Sequence, residues 1–174
     1  MRWSAPAGIV IIVWQVPGVA HLLETMNLVA HPKPVSSLRQ SEESKRLRFA
    51  RTCYDHIAGQ VGVALAGQLL ENGWVAMTED RQFELTGEGI RQFAAFGVDV
   101  KALRRSKRRF VLSCLDWSER GHHLAGALGA ALTDKLFELN WVRRHSGGRA
   151  VILTSEGAEG LKRHFGIDIG QGYI

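Results

Sequence analysis

Apolar positions along the chain follow a pattern that predicts two long helices of small and apolar side chains, each followed by a short hairpin and a closing helix. From Ile57 to Leu70 the sequence is nearly all Ile, Val, Ala, Gly and Leu, with only Gln60 and Gln68 polar. A DNA-reading helix presents polar and basic side chains to base edges, so this run is expected in a core. Gly73 is placed to end that helix. Trp74 to Met77 and Gln82 to Leu85 read as strands joined around Glu79-Asp80. Trp141 to His145 and Ala150 to Leu153 read as strands joined around Gly147-Gly148. Thr86 and Thr154 are natural N-caps, with Glu88 and Glu156 in the first turn of a closing helix.

These elements come in two copies. His56-Ile57-Ala58-Gly59 aligns with His123-Leu124-Ala125-Gly126, and the register continues through Leu69, Glu71, Trp74 and Val75 against Leu136, Glu138, Trp141 and Val142. Further on, Leu85-Thr86-Gly87-Glu88-Gly89 answers Leu153-Thr154-Ser155-Glu156-Gly157, and Phe96-Gly97-Val98-Asp99-Val100 answers Phe165-Gly166-Ile167-Asp168-Ile169. Upstream, Cys53-Tyr54-Asp55 answers Cys114-Leu115-Asp116, with six extra residues in the second copy. The expected fold is therefore α+β, with two tandem winged-helix-like repeats of helix, two-stranded wing and helix. Its expected divisions are a tail, short helix and linker over 1–50, the first repeat over 51–100, a basic connector over 101–111 and the second repeat over 112–174. Gly59, Gly62 and Ala66, like Gly126, Gly129 and Thr133, recur at spacings of three and four. Glycine inside a helix costs up to ~1 kcal/mol against alanine, and close backbone approach is the usual compensation. The two long helices are expected to cross there in a pseudo-two-fold contact.

The N-terminus does not extend this pattern. Gly8 to Trp14 is apolar and β-branched but far short of the ~20 residues of a membrane span, and it runs into Gln15 and Pro17 instead of a cleavage site. It reads as a short strand or tail. Val19, Leu22, Leu23 and Met26 have helical spacing, His31-Pro32-Lys33-Pro34 ends that helix, and the polar run Ser36 to Ser44 reads as a linker.

Composition adds a compartment and a partner class. Two cysteines in 174 residues are too few for a disulfide framework, which suits a reducing, cytoplasmic setting. The 22 Lys+Arg against 17 Asp+Glu leave a net charge of +5, which permits an acidic partner without requiring one. Lys101, Arg104, Arg105, Lys107, Arg108 and Arg109 crowd one stretch without an acid among them. They are either a solvated connector or a phosphate-contacting segment. The second wing adds Arg143, Arg144, His145 and Arg149, whereas the first carries Glu79 and Asp80 against a single Arg81.

Candidate chemistry sits ahead of each long helix. Cys53, Asp55 and His56 in the first copy answer Cys114, Asp116 and His123 in the second, where His122 adds another imidazole. At a spacing of three, Cys53 and His56 are expected to share a helix face. Thiolate plus imidazole suits Zn²⁺ or another thiophilic divalent metal. A buried cysteine with a capping aspartate, or an organic ligand site, remains open on the sequence. No nucleotide-binding glycine loop, G-x-S-x-G elbow or H-E-x-x-H occurs, so an enzyme is not expected.

The stretches Arg51-Thr52-Cys53-Tyr54-Asp55-His56, Cys114 to Arg120, His123 to Gly129 and both Leu-Thr-x-x-Gly segments resemble the C-terminal region of a subgroup of arsenic-repressor (ArsR) type regulators. The resemblance covers about Val19 to Gly166. It implies that a DNA-binding winged helix-turn-helix precedes this region, with Val19 to Glu24 resembling the helix that closes it and Met1 to Pro17 resembling none of it. It further implies an effector or dimerisation role for this chain, compatible with a homodimer, and DNA as a partner of the full-length protein; the short apolar run at the N-terminus gives no reason to expect a membrane partner.

Overall fold

The computed structural model describes residues 37–146 and 148–170, together with Met26 and Val29. The chain divides into two units, residues 1–32 and 33–174. In the first, Met26 and Val29 are helical and exposed. The run Gly8 to Trp14, the rest of the predicted first helix, His31 to Pro34 and Gly147 of the second wing lie outside the described residues.

Among the described residues the second unit is mixed α/β, with six helices and four two-stranded antiparallel sheets. It opens with α1 (Leu38–Phe49), where the sequence reading placed a linker. The Ser37 side chain accepts from the Gln40 amide at 3.2 Å, an N-cap, and Glu42 pairs with Lys45 at 2.8 Å on the exposed face. Only Phe49 of α1 is buried, so periodicity had little apolar signal to register.

Two hairpin-helix-hairpin-helix runs follow. The first is β1 (Arg51–Cys53), β2 (His56–Ala58), α2 (Gly59–Glu71), β3 (Val75–Met77), β4 (Phe83–Leu85) and α3 (Gly87–Ala95). The short α4 (Val100–Arg104) leads into β5 (Leu112–Leu115), β6 (His122–Ala125), α5 (Gly126–Glu138), β7 (Val142–Arg144), β8 (Val151–Leu153) and α6 (Ser155–Phe165). The long helices are 13 residues each. Gly59 and Gly126 both take φ of +80°, which turns the chain out of β2 or β6 and into the helix. An added Cβ would lie 2.6 Å from the Arg48 carbonyl oxygen at Gly59, and 2.9 Å from those of Arg109 and Phe110 at Gly126.

What enters the small-residue stripe is not the other long helix but the histidine strands of both halves. A Cβ on Gly62 would lie 2.5 Å from the Ile57 carbonyl oxygen of its own half and 3.4 Å from His123 Cβ, and one on Gly129 would lie 2.4 Å from the Leu124 carbonyl oxygen of its own half and 3.4 Å from His56 Cβ. The stripe therefore serves as a seat for a strand, whose flat backbone approaches a helix more closely than a second helix with side chains would. Val61, Leu65 and Leu69 of α2 and Leu128, Leu132 and Leu136 of α5 belong to one core shared by both halves.

The wings and closing helices match their predicted chemistry. Thr86 and Thr154 accept from the Gly89 and Gly157 amides, each at 2.9 Å. Trp74 and Trp141, at corresponding positions of the two halves, are both buried, at 8% and 9% exposure. At Gly157 a Cβ would lie 2.0 Å from the Trp141 carbonyl oxygen, and at Gly89 1.9 Å from that of Trp74. Backbone atoms cannot yield as a flexible side chain can. Gly157→Ala is therefore expected to destabilise the fold by roughly 3 kcal/mol, the upper part of the overpacking range. Alanine at Gly87, where no atom stands within 4 Å, should be near neutral by comparison; equal melting temperatures for the two variants would contradict this packing.

Candidate functional site: a cysteine and histidine cluster between two hairpins

Cys53 and His56 do not share a helix face. They are cross-strand partners at the turn end of the β1–β2 hairpin, joined by Tyr54 and Asp55, and Tyr54 takes a positive φ of 56° to make the turn. Cys114 and His123 are cross-strand partners in the β5–β6 hairpin, whose connection is longer. A spacing of three places two residues on one face of a helix, but it equally spans a two-residue turn, and the hairpin is what forms.

The two hairpins bring their four donors together. One ligand atom from each of Cys53, His56, Cys114 and His123 lies within 4.8 Å of the others. The histidines are buried at 4% and 1% exposure, while both cysteines are half-buried thiols. His56 Nε2 stands 3.2 Å from His123 Nε2, with ring centroids 5.0 Å apart. The Cys114 thiol and the imidazoles of His123 and His56 hold the Cys53 thiol far below the ordinary cysteine range, against the opposing effect of burial. This donor set can hold a metal ion.

Asp55 and Asp116 stand behind the histidines, outside that group of four. His56 Nδ1 is 3.4 Å from Asp55 Oδ1, and His123 Nδ1 is 3.6 Å from Asp116 Oδ2. At that distance His123 Nδ1 has no hydrogen-bond partner, although it is buried. A carboxylate facing Nδ1 favours the tautomer with the proton on that nitrogen, which leaves Nε2 as a lone pair. With both rings so arranged, two lone pairs and two sulfurs face a common centre.

The aspartates differ in their surroundings. Asp116 is fully buried and accepts from Arg51 Nη2 at 2.7 Å, the Gly59 amide at 2.7 Å, the Ser118 amide at 2.9 Å and the Ser118 hydroxyl at 2.8 Å. Burial pushes its carboxyl up, but Arg51, the Gly59 amide and Ser118 outweigh that and hold it well below the usual carboxylate range. Arg51, itself 1% exposed, also donates to the Leu47 carbonyl at 2.9 Å and lies 4.5 Å from the centre of the Trp117 ring. Asp55 is more open, and both its oxygens accept from the Arg108 guanidinium, which holds its carboxyl below the ordinary value. Arg51, Trp117 and Ser118 are not among the candidate residues that the sequence singles out. The available signal is an arginine at a position where the second copy has Leu112.

The basic residues remain at the surface. Arg104, Arg105, Lys107, Arg108 and Arg109 are exposed around the end of α4 and the start of the second half, and Arg143, Arg144 and Arg149 are exposed on the second wing. Arg104 lies over Phe110 and Arg144 over Phe137, each at 5.1 Å from the ring centre. Only Arg108 of these eight makes an ion pair among the described residues. The β1 strand touches the second wing, with the Thr52 amide donating to the Arg149 carbonyl at 2.9 Å. No helix among the described residues is long and apolar enough to cross a membrane.

No protein-family profile and no solved structure matches the chain. It is similar to Uncharacterized HTH-type transcriptional regulator YdfF of Bacillus subtilis (strain 168), with 42% identity over 150 residues covering 86% of this chain and 66% of that protein. The chain thus spans just under two thirds of its relative's length. At that identity and coverage, the chain is a relative of an HTH-type transcriptional regulator.

Proposed function

We propose that this chain is the effector-sensing and dimerisation region of an HTH-type transcriptional regulator of the arsenic-repressor type, and that its Cys53–His56–Cys114–His123 cluster takes Zn²⁺ or another thiophilic divalent metal. The observation that carries this reading is the convergence of four soft and borderline donors from two sequence-equivalent hairpins. Tetrahedral zinc with Zn–N bonds of about 2.0–2.1 Å has an N···N edge of about 3.3–3.4 Å. The 3.2 Å between the two Nε2 atoms is close to that edge. The facing carboxylates supply the outer hydrogen-bonding partners that metal-bound histidines generally have.

The two donor pairs come from the two repeats, so a bound metal ties one repeat to the other. Metal binding then favours the arrangement in which both hairpins face each other, which gives the site differential affinity for two states of the repeat pair. On this reading the chain is a binding module and not an enzyme. DNA is contacted by the full-length protein, and the test is operator binding by that protein, metal-loaded and metal-free. Equal affinities in the two states would remove the sensing role.

The second wing gives the region its own route to phosphates through Arg143, Arg144 and Arg149. Each phosphate contact contributes about 0.9 to the slope of log K against log salt on a duplex. Changing all three arginines to Ala is expected to flatten that slope by up to about 2.7, and an unchanged slope removes the wing from DNA contact.

A further inference from the structure

We infer that Cys53 and Cys114 form a redox pair, closing to a disulfide when a hydroperoxide reaches the cluster and giving up the metal as they do. The metal release rests on the reading proposed above; the disulfide does not. The two sulfurs come from separate hairpins, 61 positions apart in sequence, yet lie within 4.8 Å of each other. Both cysteines are half-buried while both histidines are buried, so the approach from solvent to the cluster passes over the sulfurs. No other cysteine occurs in the chain, which leaves each the other's resolving partner within one molecule.

The chemistry balances with the peroxide as oxidant. One sulfur attacks a peroxide oxygen, the O–O bond breaks, an alcohol or water leaves with the thiol proton or, where the sulfur is a thiolate, with a proton from solvent, and the sulfur becomes a sulfenic acid. The second sulfur attacks the first, forming S–S and expelling hydroxide, which leaves as water with the second thiol proton or, from the metal-bound thiolate, with a proton from solvent. Two thiols and one hydroperoxide give one disulfide, one alcohol or water, and one water. The sulfurs lose two electrons and the peroxide gains them. A disulfide withdraws both thiolates from the donor set, leaving only His56 and His123, and a two-imidazole site holds zinc far less tightly than a closed Cys₂His₂ set.

The experiment is hydrogen peroxide treatment of the full chain in two states, metal-free and zinc-loaded. In the metal-free chain the expected product lacks two hydrogen atoms and yields a Cys53–Cys114 cross-linked peptide. Cys53→Ser and Cys114→Ser should each abolish the cross-link while leaving the remaining thiol open to alkylation. In the zinc-loaded chain, one equivalent of zinc should appear in a chromogenic chelator as the cross-link forms, and dithiothreitol should restore binding. Independent oxidation of the two thiols to sulfinic acid without a cross-link overturns the inference, as does retention of zinc by the cross-linked chain. If the cross-link forms but the chain takes up no zinc, the redox pair stands and the metal reading fails.

Discussion

Asp116→Ala is expected to cost about 3–5 kcal/mol of stability, because removing one member of a buried ion pair strands the other. Asp116 has no exposed surface and Arg51 has 1%. Without the carboxylate, Arg51 keeps only the Leu47 carbonyl, the Ser118 hydroxyl and the Trp117 face, and the Gly59 amide at the start of α2 loses its acceptor. The network joins the two halves, so its loss should lower the whole unfolding transition. Its pH dependence has a definite sign. The folded carboxyl lies below the ordinary aspartate value of about 3.9, so its contribution is complete above that pH and drains away as the pH falls toward the folded value. Urea unfolding of wild type should therefore show a loss of stability below about pH 4 that is smaller in Asp116→Ala. The exposed Asp55–Arg108 pair offers the contrast, and Asp55→Ala should cost at most about 1 kcal/mol. Similar costs for the two substitutions would mean that the buried network does not hold the halves together.

The second large effect concerns metal affinity and its order across variants. Outer carboxylates behind metal-bound histidines are worth about 10–100-fold in affinity. Asp55→Ala, which leaves the core intact, should weaken zinc by that amount because His56 Nδ1 loses the oxygen 3.4 Å away. Cys53→Ser and His123→Ala remove a donor itself and should exceed that range, by more than about 100-fold. Competition against a chelator of known affinity gives all three values. An Asp55 variant weaker than the Cys53 variant would place the metal elsewhere.

Much of this fold was legible in the sequence, and the failures have physical causes. The wings, the threonine caps and the buried tryptophans follow from alternation, turn residues and capping chemistry. The first hairpin of each half escaped notice because its strands are short, carry cysteine and histidine, and turn at Tyr54 without the Gly or Asn that usually announces a positive φ. Polar α1 was read as a linker because only Phe49 of it is buried. The repeat alignment paired Cys53 with Cys114 and His56 with His123, so the membership of the cluster was within reach. How the copies meet was not, because a stripe of glycines admits a strand as readily as a helix. The equivalence of Arg48-Phe49 with Arg109-Phe110, whose carbonyls crowd Gly59 and Gly126, was a further part of the repeat that went unread.

Titration of the reduced chain with Co²⁺ tests the central claim most directly, since cobalt reports donor type and geometry in its spectrum. A Cys₂His₂ site predicts saturation at one equivalent, the intense visible bands of tetrahedral cobalt and a near-ultraviolet thiolate charge-transfer band, all displaced by zinc and diminished in Cys53→Ser and Cys114→Ser. Weak octahedral bands, or a spectrum unaffected by either cysteine substitution, would contradict it.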